Sequence, residues 1–269
     1  MKLSNLKNLA VDSFIYGISG MLLKLISFVL FPIFAHHFSP SSYGTIGILI
    51  SMNLVLMTIS GLGLEAACSR WFYDKDDPQY RNKLFTTWFT GRLVVSILLS
   101  LLVFFIFKNW LIKNHLNSEN GSWLILILLI SLLFNIIPSL LNFYFILNKK
   151  PTHSLVFSIS LALLSSILCV LFIFVFKLDI AGFFLGQMVA FIIASLYGFA
   201  FYKKKINSFQ FDFHLFRDMV RYGVKVLPAT LSNNFTLFFA ILIIQSLTSQ
   251  HDLGIFQVGY TLEIGRAHV

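Results

Sequence analysis

Residues 16–47 read YGISGMLLKLISFVLFPIFAHHFSPSSYGTIG, and this stretch decides the class of the fold. Its apolar run exceeds the ~20 residues that carry a helix across a bilayer, and it closes on the Ser/Pro/Gly turn Ser39-Pro-Ser-Ser-Tyr-Gly44 before the next apolar run begins. Two residues interrupt it. Pro32 kinks or loosens the helix near its end, and Lys24 places an ammonium near the middle of the span. A lysine at that depth costs several kcal/mol in lipid, so it is expected to face protein or a watery cavity.

The rest of the chain repeats the pattern. Over 269 residues, 57% are hydrophobic, 16% aromatic and 12% charged, and the mean hydropathy is +0.82. Soluble domains carry roughly 25% charged residues, so that class is excluded. The apolar runs do not alternate as strands do, and each must satisfy its backbone internally, as a helix. The fold class expected is an all-α membrane protein, a polytopic helical bundle.

Spans are expected at about Asp12–His36, Gly44–Phe72, Leu84–Phe107, Trp123–Leu147, Leu155–Phe176, Gly182–Tyr202 and Gly223–Leu247, with another apolar run opening after Gly254. Lys149-Lys150-Pro151 ends the fourth sharply. The first run is too long for a signal-peptide core and lacks a small-residue cleavage site, so it reads as a signal anchor. Between Lys203 and Tyr222 the chain is hydrophilic, but Phe213, Phe216, Met219 and Val220 fall on one apolar face, as in an interfacial helix.

The net charge of +9 does not indicate nucleic acid, because the basic residues sit between apolar runs as topology signals. With the N-terminus in the cytoplasm, Lys2, Lys7, Arg70, Lys75, Arg81, Lys83, Lys149, Lys150, Lys203, Lys204, Lys205, Arg217 and Arg221 fall inside, against Lys108, Lys113 and Lys177 outside. Cys68 and Cys169 have no metal-ligand spacing, so neither a disulfide framework nor a zinc site is expected. The Asp74, Asp76, Asp77 cluster lies among Lys75, Arg81 and Lys83 and reads as a solvated charge run. No catalytic set, P-loop or GxGxxG is present, and neither enzyme chemistry nor a cofactor is expected.

Three ionisable groups fall inside spans: Lys24, Glu65 and Arg92. Glu65 and Arg92 both lie ~10–12 Å deep from the same end, close enough to pair, and a neutralising bridge competes with a direct ligand role for each. Lys24, ~18 Å along its span, has no acidic residue at its depth, and its ~6 Å reach takes it to neither headgroup layer. A cationic wall of Lys24 and Arg92 suits an anionic headgroup such as a pyrophosphate. Arg70 stands at the cytoplasmic rim, as a topology anchor or a headgroup contact. Asn135, Asn142, Gln187, Asn233, Asn234 and Gln245 are read chiefly as interhelical hydrogen-bonding groups.

Several segments together resemble the Wzx-type oligosaccharide-lipid flippases of the multidrug/oligosaccharidyl-lipid/polysaccharide (MOP) exporter superfamily. They are Tyr16-Gly17 with Lys24 and Pro32, the turn Phe38–Gly44, Gly61-Leu-Gly-Leu-Glu65 through Arg70-Trp-Phe-Tyr-Asp74, Arg221-Tyr-Gly-Val-Lys-Val-Leu-Pro228, and Leu253-Gly-Ile-Phe-Gln-Val-Gly-Tyr260. The resemblance implies a MATE/MOP-like architecture with alternating access. Residues 1–202 would form an N-terminal six-helix lobe, 203–222 a cytoplasmic basic linker, and 223–262 the first helix and following start of a C-terminal lobe. Tyr222-Gly223, Pro228 and Ser249–Gly254 echo Tyr16-Gly17, Pro32 and Ser39–Gly44, as a parallel repeat predicts. Glu263-Ile-Gly-Arg-Ala-His-Val269 back-translates as GAGATCGGAAGAGCACACGTC, which looks like a sequencing adapter, so a non-native tail on a truncated chain is expected.

The function implied is movement of an undecaprenyl-pyrophosphate-linked oligosaccharide across the bacterial cytoplasmic (inner) membrane, for O-antigen, capsule or another surface polysaccharide. The implied partners are that lipid-linked substrate, membrane lipids, and the polysaccharide polymerase and chain-length machinery. Family members often carry an Asp-Arg pair in span 7. Here Thr236-Leu-Phe-Phe-Ala-Ile241 is uncharged, so no role is carried over. A cation-coupled multidrug exporter of the same fold is the alternative, with Glu65 as its acidic group. An integral-membrane polymerase or acyltransferase is a third reading, disfavoured by the short expected external loops.

Overall fold

The computed structural model describes residues 3–113, 121–205 and 210–266. Met1, Lys2, residues 114–120 of the polar turn after the third span, 206–209 of the hydrophilic stretch and the last three residues of the tail lie outside them. No strand occurs among the described residues. The helices are α1 (Leu3–His37), α2 (Pro40–Gly61), α3 (Leu64–Trp71), α4 (Pro78–Leu102), α5 (Lys108–Leu111), α6 (Gly121–Phe134), α7 (Ile136–Leu147), α8 (Pro151–Val170), α9 (Asp179–Lys205), α10 (Phe213–Leu247) and α11 (Gln250–Arg266).

Six helical segments are long and apolar enough to cross a membrane: Gly17–His37, Pro40–Gly61, Pro78–Leu111, Gly121–Leu147, Pro151–Val175 and Asp179–Lys203. A seventh, Phe213–Ser232 with Asn234–Leu247, is bent by 41°. Their starts follow from local chemistry. Pro40, Pro78 and Pro151 each open a helix, where the missing N–H is no loss. The Ser39 hydroxyl accepts from Ser42 N at 3.2 Å, and the Asp77 carboxylate accepts from Gln79 N at 3.0 Å. The aspartate cluster therefore starts α4 through Asp77, while Asp76 pairs with Arg81 at 2.8 Å.

The second span does not continue to Phe72. It stops at Gly61, because Leu62 (φ 47) and Gly63 (φ 66) turn left-handed before α3 resumes. The turn lets another backbone approach, since a side chain at Gly63 would collide with the carbonyl of Gly223 in α10. The fourth span runs through Asn135 as one stretch, Gly121–Leu147, since Asn135 N bonds Ser131 O at 3.0 Å and Ser139 N bonds Asn135 O at 3.1 Å.

Residues 213–222 do not form an interfacial helix. They are the first turns of α10, docked on α3 and α4, and Met219 is completely buried there beside Trp88 and Leu64. Phe213 points outward instead, 70% exposed. Specific polar contacts hold this end. The Thr86 hydroxyl donates to Gln210 O at 2.6 Å, Asp212 N donates to Thr87 Oγ1 at 3.2 Å, and Lys83 Nζ lies 2.5 Å from the Asp212 carboxylate. Lys83, joined by the N–H groups of Leu215 and His214, holds the Asp212 carboxyl at about 2, well below the usual carboxylate range.

α2 is the centre of the packing, with α10 and α11 against it. One apolar cluster gathers around Leu49, Ile125, Leu128, Ile173 and Leu253, near the Ser39 turn. A second, around Leu64, Phe72, Leu84, Trp88 and Met219, fills the opposite end. Contact between α2 and α11 is reciprocal. A Cβ on Gly44 would come 2.7 Å from Gln250 O, and one on Gly254 would strike Pro40 O. These positions lie at matching places in the two echoed segments. Gly254→Val is accordingly expected to cost about 3 kcal/mol, the upper range for overpacking, because the obstacle is backbone rather than a movable side chain. Thermal unfolding in detergent reads this, and an unchanged midpoint would mean the two helices do not meet there.

Candidate functional site

Glu65 and Arg92 are joined. The α2–α3 break turns Glu65 toward α4, and Arg92 Nη1 lies 2.5 Å from Glu65 Oε1. The pair is lopsided, since the arginine side chain is 6% exposed and the glutamate 50%. The guanidinium also stands 5.7 Å from the Trp88 ring centroid. Arg92 is thus committed to the protein interior. Arg70, exposed at the end of α3, lies 4.9 Å over the Tyr222 ring and ties α3 to α10.

Lys24 is elsewhere. It is exposed on α1, and no hydrogen bond or ion pair holds it among the described residues. Gly17, Gly20, Lys24 and Phe28 follow one another at helical spacing on that face, and beside both glycines nothing lies within 4 Å. α1 packs mainly on α8, whereas α4 packs on α2, α3, α6, α7 and α10. Lys24 and Arg92 therefore do not share a wall.

Next to Lys24 on α1, Leu23, Ile26 and Ser27 line a cavity of about 400 Å³ closed by α2, α8 and α9. Aliphatic side chains and aromatic rings, among them Phe31, Phe34 and Tyr43, form most of its wall, and Ser27, Ser165, Ser166, Gln187 and Gln257 supply its polar groups. Apolar walls with a few hydrogen-bonding groups suit a neutral, hydroxyl-bearing or flat guest. Of these residues only Gln187 was singled out from sequence. Ser27, one turn beyond Lys24, and the Ser165-Ser166 pair inside an apolar span are the signals that point to the rest. A wider groove of about 660 Å³, largely apolar but also lined by Thr152, His153, Ser160 and Tyr197, lies along α8 and α9 and touches none of Lys24, Glu65, Arg70 or Arg92.

Two of the span asparagines, Asn142 and Asn234, bond within the bundle, while the Asn233 side chain lies outside the described residues. Asn142 Oδ1 accepts from Ser154 at 2.6 Å, and Asn234 Nδ2 donates to Thr58 at 2.7 Å. Among the described residues no three His, Cys, Asp or Glu side chains are placed to hold a metal, and both cysteines are free and buried.

Six apolar helical segments and a bent seventh define a multi-pass helical membrane protein, and its fold is that of the MATE transporters. A solved chain recorded as "protein A" superposes with a TM-score of 0.80 at 16% identity, over 96% of this chain and 60% of that one. The MATE multidrug transporter DinF-BH gives 0.73 at 17% identity, again over 96% and 60%. An outward-facing multidrug resistance MATE family transporter of the MOP superfamily gives 0.62 at 13%, over 94% and 62%. The chain thus spans about 60% of the length of these structures. No curated protein matches it. The model of the polysaccharide biosynthesis protein family matches residues 9–264, and the chain belongs to that family.

Proposed function

We propose that this protein is a flippase carrying an undecaprenyl-pyrophosphate-linked oligosaccharide across the bacterial cytoplasmic membrane for surface polysaccharide synthesis. The observation that carries the reading is Lys24, an unpaired cation on an open α1 face beside an apolar-walled cavity with a few hydrogen-bonding groups, in a chain of the polysaccharide biosynthesis family. The ammonium would meet the pyrophosphate, the cavity's hydroxyl and amide groups would meet sugar, and the isoprenoid tail would stay in lipid. Arg92 would act indirectly, holding Glu65 and the α2–α3 break.

Orientation and lobes follow the same reading. Arg70, Lys75, Arg81, Lys83, Lys149, Lys150 and Lys203 gather where α3, α4, α7, α8, α9 and α10 start or end on one side of the bundle, and we assign that side to the cytoplasm. Residues 1–202 would rock against the lobe begun by 223–262, with 203–222 as their link. The polymerase and chain-length machinery would receive the product.

A multidrug exporter is the second reading, favoured by the MATE-like fold, though Glu65 is already engaged by Arg92. The test is expression of the parent gene in a flippase-null strain. Restored surface polysaccharide with unchanged drug susceptibility is expected. Raised drug resistance without polysaccharide would transfer the assignment to the second reading.

A further inference from the structure

Buried serines in this protein generally return their hydroxyl to a carbonyl or a side chain. Ser51 donates to Ile48 O at 2.9 Å, Ser60 to Met57 O at 3.0 Å, Ser154 to Asn142 Oδ1 at 2.6 Å and Ser195 to Phe134 O at 2.6 Å. Two serines of α4 break the pattern. Ser96 and Ser100 are 0% and 8% exposed, and neither Oγ has a hydrogen-bond partner among the described residues.

They continue a row. Trp88 is fully buried with its indole Nε1 unpartnered, and Arg92, 5% exposed, spends Nη1 on Glu65 while its buried Nε has no partner. Trp88, Arg92, Ser96 and Ser100 are successive members of one i, i+4 ridge of α4. On α2, which packs against α4, Asn53 Oδ1 is also buried without a partner. Buried polar atoms are normally paired, and buried indole N–H groups nearly always find an acceptor. Unpartnered groups on four consecutive rungs therefore point to a common ligand.

We propose that this ridge is a buried water site, a single file of water running along α4 and passing the Arg92–Glu65 pair. The spacing fits, since rungs four residues apart rise ~6 Å, about two hydrogen bonds of ~2.8 Å, so one water bridges each adjacent pair. The chemistry fits as well. The indole and guanidinium N–H groups only donate and fix water oxygens toward themselves, while the two serine hydroxyls accept or donate and continue the chain. No carboxylate lies on the ridge to recruit a metal. Water with several polar partners is the usual occupant of such a position. The file solvates the side of Arg92 turned from Glu65, and over ~12 Å it connects that ion pair to the Ser100 end for water and the protons water relays. This holds whatever cargo the protein moves.

Radiolytic hydroxyl-radical footprinting of the purified chain in detergent tests it, because radicals born from bound water oxidise neighbouring side chains that bulk solvent does not reach. Rates are normalised to the denatured chain. Trp88 is expected to be oxidised at least ~10-fold faster than Phe72 and Phe85, which are 2% and 3% exposed in the same apolar cluster. Equal protection of all three overturns the proposal. Ser96→Val, which removes a rung and fills its space, is expected to bring Trp88 down to the level of Phe85. An undiminished Trp88 rate in a folded Ser96→Val protein overturns the continuous file, and the unsubstituted chain decides the question if that variant does not fold.

Discussion

Glu65→Ala is expected to destabilise the protein by about 3 kcal/mol, whereas Arg92→Met leaves it within about 1 kcal/mol of the parent. The two ends of one ion pair are unequal because their surroundings are. Removing Glu65 leaves a guanidinium whose side chain is 6% exposed without a counter-charge, beside the Trp88 ring. Removing Arg92 leaves a carboxylate that is 50% exposed and free to hydrate, while methionine fills the vacated space. Half-exposure of Glu65 screens part of the attraction, which sets the first figure at the low end of the range for broken buried pairs. Denaturant or thermal unfolding in detergent, followed by tryptophan fluorescence, measures both. Equal losses would mean that Arg92 is solvated as freely as Glu65. Adding Arg92→Met to Glu65→Ala is expected to recover most of the loss, since no buried charge then remains.

Lys24→Ala should behave in the opposite way, with no loss of stability or of membrane abundance and a loss of surface polysaccharide in the complemented strain. Its ammonium is exposed and tied to nothing among the described residues, so the fold does not depend on it. A charged hydrogen bond to phosphate is worth about 1.5–3 kcal/mol, at least a ~10-fold change in cargo affinity. Lys24→Arg keeps the charge and is expected to retain part of the activity, while Lys24→Gln is not. Full complementation by Lys24→Ala removes the pyrophosphate role from this residue. Loss of the protein from the membrane instead would make Lys24 structural.

These residues show how far one-dimensional reading reaches. Three helix starts carry a local signal, Ser39-Pro40, Asp77-Pro78 and Lys150-Pro151, yet the expected spans open only at Gly44, Leu84 and Leu155, because hydropathy marks the apolar run and not the polar first turn that precedes it. The closeness of Glu65 and Arg92 was legible from depth alone. Which of the two is buried was not, because depth along a span says nothing of rotation about it. Lys24 and Arg92 both stood inside spans and were expected on one cationic wall. Packing places them on different sides, one on the open face of α1 and one inside α4. The Trp88–Ser100 ridge passed unnoticed, since tryptophan and serine are unremarked in an apolar helix until their polar atoms prove to lack partners.

By itself, the sequence determined that this chain is a bundle of membrane-length helices and to which family it belongs. That follows because a backbone in lipid must bond within its own segment, and long apolar runs have no other solution. The tertiary structure alone decided which faces look inward. Gly121–Leu147 and Pro151–Val175 are about equally apolar, yet 61% of the most apolar stretch of the first is buried against 11% of the second. Lipid and protein core present the same apolar surroundings to a side chain, so hydropathy cannot separate them. Close packing can, and it is why the Tyr16–Gly47 stretch announces a membrane helix while only the fold shows Lys24 on its open side.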